Sequence, residues 1–185
     1  MIQPTKWKKF SAVSTLVLIY LMAGCGNHQA PLVQYGPVVQ QIMITDTAVF
    51  RTFSLGNKPE EVKKRETALL MESDSSFLYY ESKKSDSSSF NVMYNFDEEG
   101  LAEIQSDIYL SNATQGDEAF EQFKKYFNDH YGESTAKQGY MVWTIPSSKF
   151  GTVRVNLDLE NADGNISKAH SKISLWIYVD KDDKN

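Results

Sequence analysis

The chain has 185 residues, a formal net charge of −5, 12% aromatic residues, five prolines and one cysteine. That length suits one domain with a real core, and the aromatic content argues against a largely disordered chain. The acidic balance argues against nucleic acid and against charge-driven attachment to anionic lipid headgroups. A lone cysteine leaves no partner for an internal disulfide.

The first segment has the layout of a secretory signal peptide. Lys6, Lys8 and Lys9 precede an apolar run from Ala12 to Met22, followed by Ala23, Gly24 and Cys25. The run is too short for a transmembrane helix, which needs about 20 apolar residues. Leu21-Met22-Ala23-Gly24-Cys25 resembles the lipobox of bacterial lipoproteins, with Met22 where that family prefers leucine. The resemblance implies cleavage between Gly24 and Cys25 and a diacylglyceryl group on the Cys25 thiol. It also implies a place in the bacterial cell envelope, at the outer membrane or cell surface. Cleavage removes three lysines and no acid, taking the net charge from −5 to −8.

Residues 1–24 are thus expected to be a signal peptide and 25–40 a flexible lipid tether, with Pro31, Gly36 and Pro37 marking the tether. Residues 41–185 are expected to form a single α+β domain. Ile42–Thr45 and Ala48–Phe53 read as short β-prone runs. Asp46-Thr47-Ala48 resembles a three-residue O-glycosylation signal of one bacterial phylum.

A helix is expected from Asn57. Its side chain can cap, Glu60 follows three residues on, Pro59 suits the first turn, and Val62, Leu69 and Leu70 share a face. Glu66 falls near that face, with its carboxylate expected to reach solvent at the rim. Strands follow at Phe77–Glu81, at the alternating Phe90–Phe96, and at Ile104–Leu110, with Ser82–Ser89 as a loop. Asp97-Glu98-Glu99-Gly100 makes a tight hairpin with Gly100 in a left-handed position.

The order then repeats. Gly116–Tyr131 is a helix with Phe120, Phe123, Phe127 and Tyr131 on one stripe and Gly132 as its cap. Strands are expected at Tyr140–Ile145, through Val153, Val155, Leu157 and Leu159, and through Ile173, Leu175, Ile177 and Val179, with a turn at Ala162–Asn165.

The expected fold class is therefore α+β. Two consecutive helix–three-strand units, at about 54–112 and 113–181, form one antiparallel sheet with two helices on one face. This arrangement, with Leu55–Val62 as a glycine-then-helix opening, resembles the fold of β-lactamase inhibitor proteins and of the small lipoprotein of the outer-membrane barrel-assembly machinery. The resemblance implies protein binding through the sheet face or loops rather than catalysis.

If the apolar row of the last strand faces the helices, Trp176 and Tyr178 face away, as does Tyr109 in the third strand. Trp143 is a candidate for the same face, although Tyr140–Ile145 is apolar on both sides. The alternative for these rings is burial under loops, under the 38–53 segment, or in cross-strand pairs.

Other chemistry has little footing. His28, His130 and His170 lack ligand spacing, and Asp158–Asn165 misses the calcium-loop register. Ser134-Thr135-Ala136-Lys137 matches a serine–lysine motif but sits in a loop without its partner elements. Asp97, Glu98 and Glu99 read as a solvated turn rather than an acid/base pair. No metal, cofactor or catalytic residue is expected. The leading expectation is a lipid-anchored envelope protein whose domain binds a protein, peptide or glycan. A structural accessory subunit of an envelope complex is the alternative, and a hydrolase with an unrecognised site is a third reading.

Overall fold

The strict in–out alternation of apolar residues is realised as one eight-stranded antiparallel sheet in a computed structural model that describes residues 31–83, 88–161 and 171–181. The strands are β1 (Leu69–Ser73), β2 (Phe77–Lys83), β3 (Ser89–Asp97), β4 (Gly100–Leu110), β5 (Thr135–Lys137), β6 (Tyr140–Ser147), β7 (Gly151–Asn161) and β8 (Ser171–Asp180). Their spatial order is β1-β2-β3-β4-β8-β7-β6-β5. Each half of the sheet is a meander, and the last strands of the two meanders, β4 and β8, pair antiparallel at the centre. Two expected loop segments, 84–87 and 162–165, lie outside the described residues, as do Gly24, Cys25, His28 and His170; Ser82, Lys83 and Ser89 belong to strands rather than to a loop.

The β3–β4 hairpin turns at Gly100, whose φ is +119°. A Cβ there would sit 2.5 Å from the Gly56 carbonyl oxygen. The approach is that close because Gly56 N–H donates to Leu101 O and Leu101 N–H donates to Asn57 O, each at 2.8 Å. The hairpin is thereby sewn to the segment that leads into the helix α2 (Pro59–Arg65).

One face of the sheet carries Leu78, Val92, Tyr94, Ile104, Val155, Leu157, Ile173, Leu175 and Ile177, all buried. The helix α3 (Ala113–Tyr131) packs across it with Ala119, Phe123, Tyr126 and Phe127. Asn112 caps α3 by accepting from Gln115 N–H at 2.9 Å. A Cβ on Gly116 would meet Ser171 Oγ at 1.9 Å, so this glycine sets how closely α3 approaches β8. Burying each large apolar side chain here contributes about 1.5–3 kcal/mol.

The amino-terminal part departs from expectation. Residues 32–40 are not a tether. Leu32–Tyr35 forms a 3-10 turn and Pro37–Met43 the helix α1, with Tyr35, Val39, Ile42 and Met43 fully buried. These positions recur at helical spacing, which the β-prone reading of Ile42–Thr45 overlooked. Tyr35 donates its hydroxyl to Asp129 Oδ2 at 3.0 Å and meets the Tyr126 ring edge-on. Phe53 meets Tyr94 edge-on, with centroids 5.2 Å apart. This segment therefore packs on the helix side of the first meander and leaves the other face of the sheet open.

The expected helix from Asn57 is shorter than its apolar pattern. It starts one residue late, with Glu61 accepting from Lys58 N–H at 2.8 Å, and ends at Arg65. Glu66 stops it. The carboxylate accepts from Thr67 N–H at 2.7 Å and Ala68 N–H at 2.9 Å, and the backbone turns extended. Leu69 and Leu70 then pass into the edge strand β1, where they are exposed. Glu66 does not reach solvent. Its side chain is fully buried against Arg51, which donates to both its oxygens, and Tyr94 OH donates to it at 2.6 Å. The sheet has eight strands rather than six because Leu69 and Leu70, which fit a helix face in sequence, open β1, and because β5 is too short to show a period.

Candidate binding face

The open face is set by β8, in which Ile173, Leu175 and Ile177 are buried beneath the helices and Trp176 and Tyr178 project the other way. Register carries the same side across the sheet. Tyr79, Met93, Gln105, Trp176, Asn156 and Val142 lie opposite one another on successive strands from β2 to β6. Trp176 is 38% exposed, and its ring lies 4.5 Å from that of Tyr178.

Tyr109 shares the face but not the cluster. It pairs with Lys172, four residues along β8 from Trp176, and its hydroxyl accepts from Asn91 Nδ2 at 3.3 Å. Burial, then the charge of Asp107, raises its pKa above the ordinary tyrosine value.

Trp143 is on the opposite face. It pairs with the buried Val155, is 1% exposed, packs at a tilt against Phe127 with centroids 5.2 Å apart, and donates its indole N–H to Asn128 Oδ1 at 2.9 Å. The correction follows from pleat. Because β6 is apolar on both sides, only pairing with β7 fixes which row is inward. The same register puts Tyr140 on the open face, 37% exposed. Tyr140 and Tyr79 are aromatic residues lining the hollow of this face that the sequence pattern does not single out. Alternation parity relative to Trp143 was the available signal for Tyr140.

The face is concave. Asn91 on β3 and Tyr140 on β6 line one depression of about 430 Å³ together with Tyr79, Met93, Asp107 and Trp176. On a flat sheet those two strands would stand about 19 Å apart, at about 4.8 Å per step. Curvature brings the far tyrosine over the centre. A second depression of about 380 Å³ shares Tyr140 and Trp176 and adds Lys137, Asn156, Arg154 and Tyr178. The two meet at the Trp176 ring.

The polar lining is partly engaged. Asp107 Oδ1 accepts from Ser174 Oγ at 2.8 Å, Glu103 accepts from Asn95 and Gln105, and Arg154 pairs with Asp180. Asn156 is 9% exposed and its Oδ1 finds no donor among the described residues. Such an oxygen is costly to bury without a donor.

Elsewhere, no three His, Cys, Asp or Glu side chains group as metal ligands among the described residues. His130 Nδ1 is 2.7 Å from the Tyr126 carbonyl, and its ring lies tilted against that of Tyr126 with centroids 4.1 Å apart. Ser134 follows the Gly132 cap and donates its backbone N–H to Asn128, while Lys137 sits on the edge strand β5. Asp97, Glu98 and Glu99 line a depression at the β3–β4 turn, with Lys181 on Asp97 at 3.2 Å. Thr47 is exposed.

No family model matches this chain, and no curated protein or solved structure matches it either. Among the described residues, no helix is long and apolar enough to cross a membrane, which leaves strand-built spans unaddressed.

Proposed function

We propose that this is a lipid-anchored protein of the bacterial cell envelope, attached at the outer membrane or cell surface through an acylated Cys25 after cleavage at Gly24–Cys25. Its domain is a non-catalytic binding module, and the concave open face is the ligand face. The observation that carries the reading is the half-exposed Trp176, set with Tyr178 and Tyr140 in a hollow that no helix covers. Concave surfaces with aromatic rings and a few placed polar groups are the usual form of ligand sites. The ligand is a protein, peptide or glycan. No nucleic acid is involved.

The fold is read further as two related units, each a helical segment followed by a meander. Two helices, α1 and α2, precede the first meander, and α3 precedes the second. The meeting of β4 and β8 supports that reading and the likeness to inhibitor and barrel-assembly lipoprotein folds.

Two experiments test the function. Metabolic labelling with an alkyne fatty acid should mark the protein and be lost in Cys25→Ala. Trp176→Ala with Tyr178→Ala should abolish capture of a partner in crosslinked cells while thermal melting stays unchanged. Silent binding with a collapsed fold would make the rings structural.

The accessory-subunit reading has its own observation. The edge strand β1 exposes Leu69, Leu70 and Met71, while the other edge, β5, is three residues long and carries Lys137. Natural edges are usually blunted by shortness, charge or a bulge; β1 has Glu72 and a register shift between Leu70 and Glu72, yet still presents three apolar side chains. One stoichiometric crosslinked partner lost in Met71→Lys but retained in Trp176→Ala would favour this second reading.

A further inference from the structure

The chemistry of the hollow narrows its ligand class, on the premise that the open face is the ligand face. Three observations converge. Flat aromatic surface is offered by Trp176, Tyr178 and Tyr140, all of which line the second depression, with Tyr79 added in the first. Acceptors are in surplus: Asn156 Oδ1, nine-tenths buried in the second depression, has no donor among the described residues. The face as a whole is acidic: Glu81, Glu103, Asp107 and Asp158 project from it without an ion pair among the described residues, and Asp107 lines the first depression, whereas the cations Arg154 and Lys172 are tied to Asp180 and Glu160. Lys137, at the edge of the second depression, is the opposing charge.

A ligand complementary to all three must be flat, rich in N–H donors and positive. A guanidinium meets each requirement. It stacks on tryptophan and tyrosine faces, donates through five N–H groups, and stays charged. An ammonium supplies charge without the flat surface. A neutral sugar supplies stacking and donors but gains nothing from unpaired carboxylates. We infer that the concave face takes arginine side chains from a basic, extended peptide segment, with guanidinium planes stacked on Trp176 and Tyr140 and N–H groups directed to Asp107 and toward Asn156. The two hollows beside Trp176 give room for more than one such side chain.

The test uses the mature full chain in detergent micelles. Trp176 is its half-exposed tryptophan and Trp143 is buried, so ligand at the face reads out as a change in fluorescence. The probes are a capped glycine–serine peptide carrying three arginines, its lysine and glutamate counterparts, and a neutral oligosaccharide. The arginine peptide should bind about tenfold more tightly than the lysine peptide. Its binding should weaken as salt rises. Asp107→Asn should weaken it by about tenfold and Asn156→Asp, which adds a charge beside the rings, should tighten it. Thermal melts confirm that each variant folds.

Equal binding of the lysine peptide, indifference to Asn156→Asp, or no binding of the arginine peptide overturns the inference. Binding of the oligosaccharide or the glutamate peptide instead, lost in Trp176→Ala, overturns it while retaining the face as the ligand site. Arginine-peptide binding undiminished in both Trp176→Ala and Tyr140→Ala overturns the inference and the ligand face together.

Discussion

Arg51 holds Glu66 by two bonds of 2.9 Å, Nε to Oε2 and Nη2 to Oε1, with 4% and 0% of the two side chains exposed. The Arg51 backbone stands at φ +55°, a left-handed position that non-glycine residues rarely adopt, and its guanidinium lies 4.8 Å over the Phe90 ring. The pair fastens the segment after α1 to the end of α2 and, through Tyr94, to the sheet. Glu66→Gln keeps the shape and leaves Arg51 uncompensated. Chemical denaturation should show a loss of about 3–5 kcal/mol, as for other broken buried pairs.

The same pair sets an acid limit. Burial pushes the Glu66 pKa up, but Arg51, the Tyr94 hydroxyl and the Ala68 N–H outweigh it, leaving the carboxyl below its ordinary 4.5. A depressed folded pKa stabilises the fold above the unfolded value, and that stability is lost as pH falls through the folded one. Unfolding free energy should therefore be steady from neutral pH down to about 4.5 and drop below it. Glu66→Gln should flatten the drop in a denaturation series at successive pH values.

Trp143 and Trp176 should behave oppositely. Trp143 is sealed between Phe127 and Val155, so Trp143→Ala should cost about 3–5 kcal/mol. Trp176→Ala removes a half-exposed ring and should cost under about 1 kcal/mol. In the mature chain, which lacks Trp7, iodide should quench the fluorescence of the Trp143→Phe variant and spare that of Trp176→Phe.

Gly100→Ala places a methyl group 2.5 Å from the Gly56 carbonyl oxygen at a φ of +119°. Both the contact and the backbone oppose it. The melting midpoint should fall by an amount equal to more than about 1 kcal/mol.

Residues 32–43 should behave as core. Tyr35→Ala deletes a ring that is 1% exposed and its bond to Asp129, and should cost about 3–5 kcal/mol in urea unfolding. A flexible tether would show no change.

The sheet was legible in the sequence wherever one face alone is apolar. β3, β7 and β8 alternate cleanly, because each needs only one inward row, and the α3 stripe and the Gly132 cap obey equally local rules. The alternation of β8 alone places Trp176 and Tyr178 on one face, opposite Ile173, Leu175 and Ile177. Local pattern failed where a residue's partner is distant in the chain. Nothing near Glu66 announces Arg51, whose pairing holds the carboxylate where it caps Thr67 and Ala68, ends α2 and sends Leu69 and Leu70 into a strand. Nor does β6, apolar on both sides, say whether Trp143 or Tyr140 faces the core. Pairing with Val155 decides it, and curvature across five strands then brings Tyr140 over the centre of the sheet. Period and capping are properties of neighbouring residues; burial of a charge, register between strands and the concavity of a face exist only once distant segments have met.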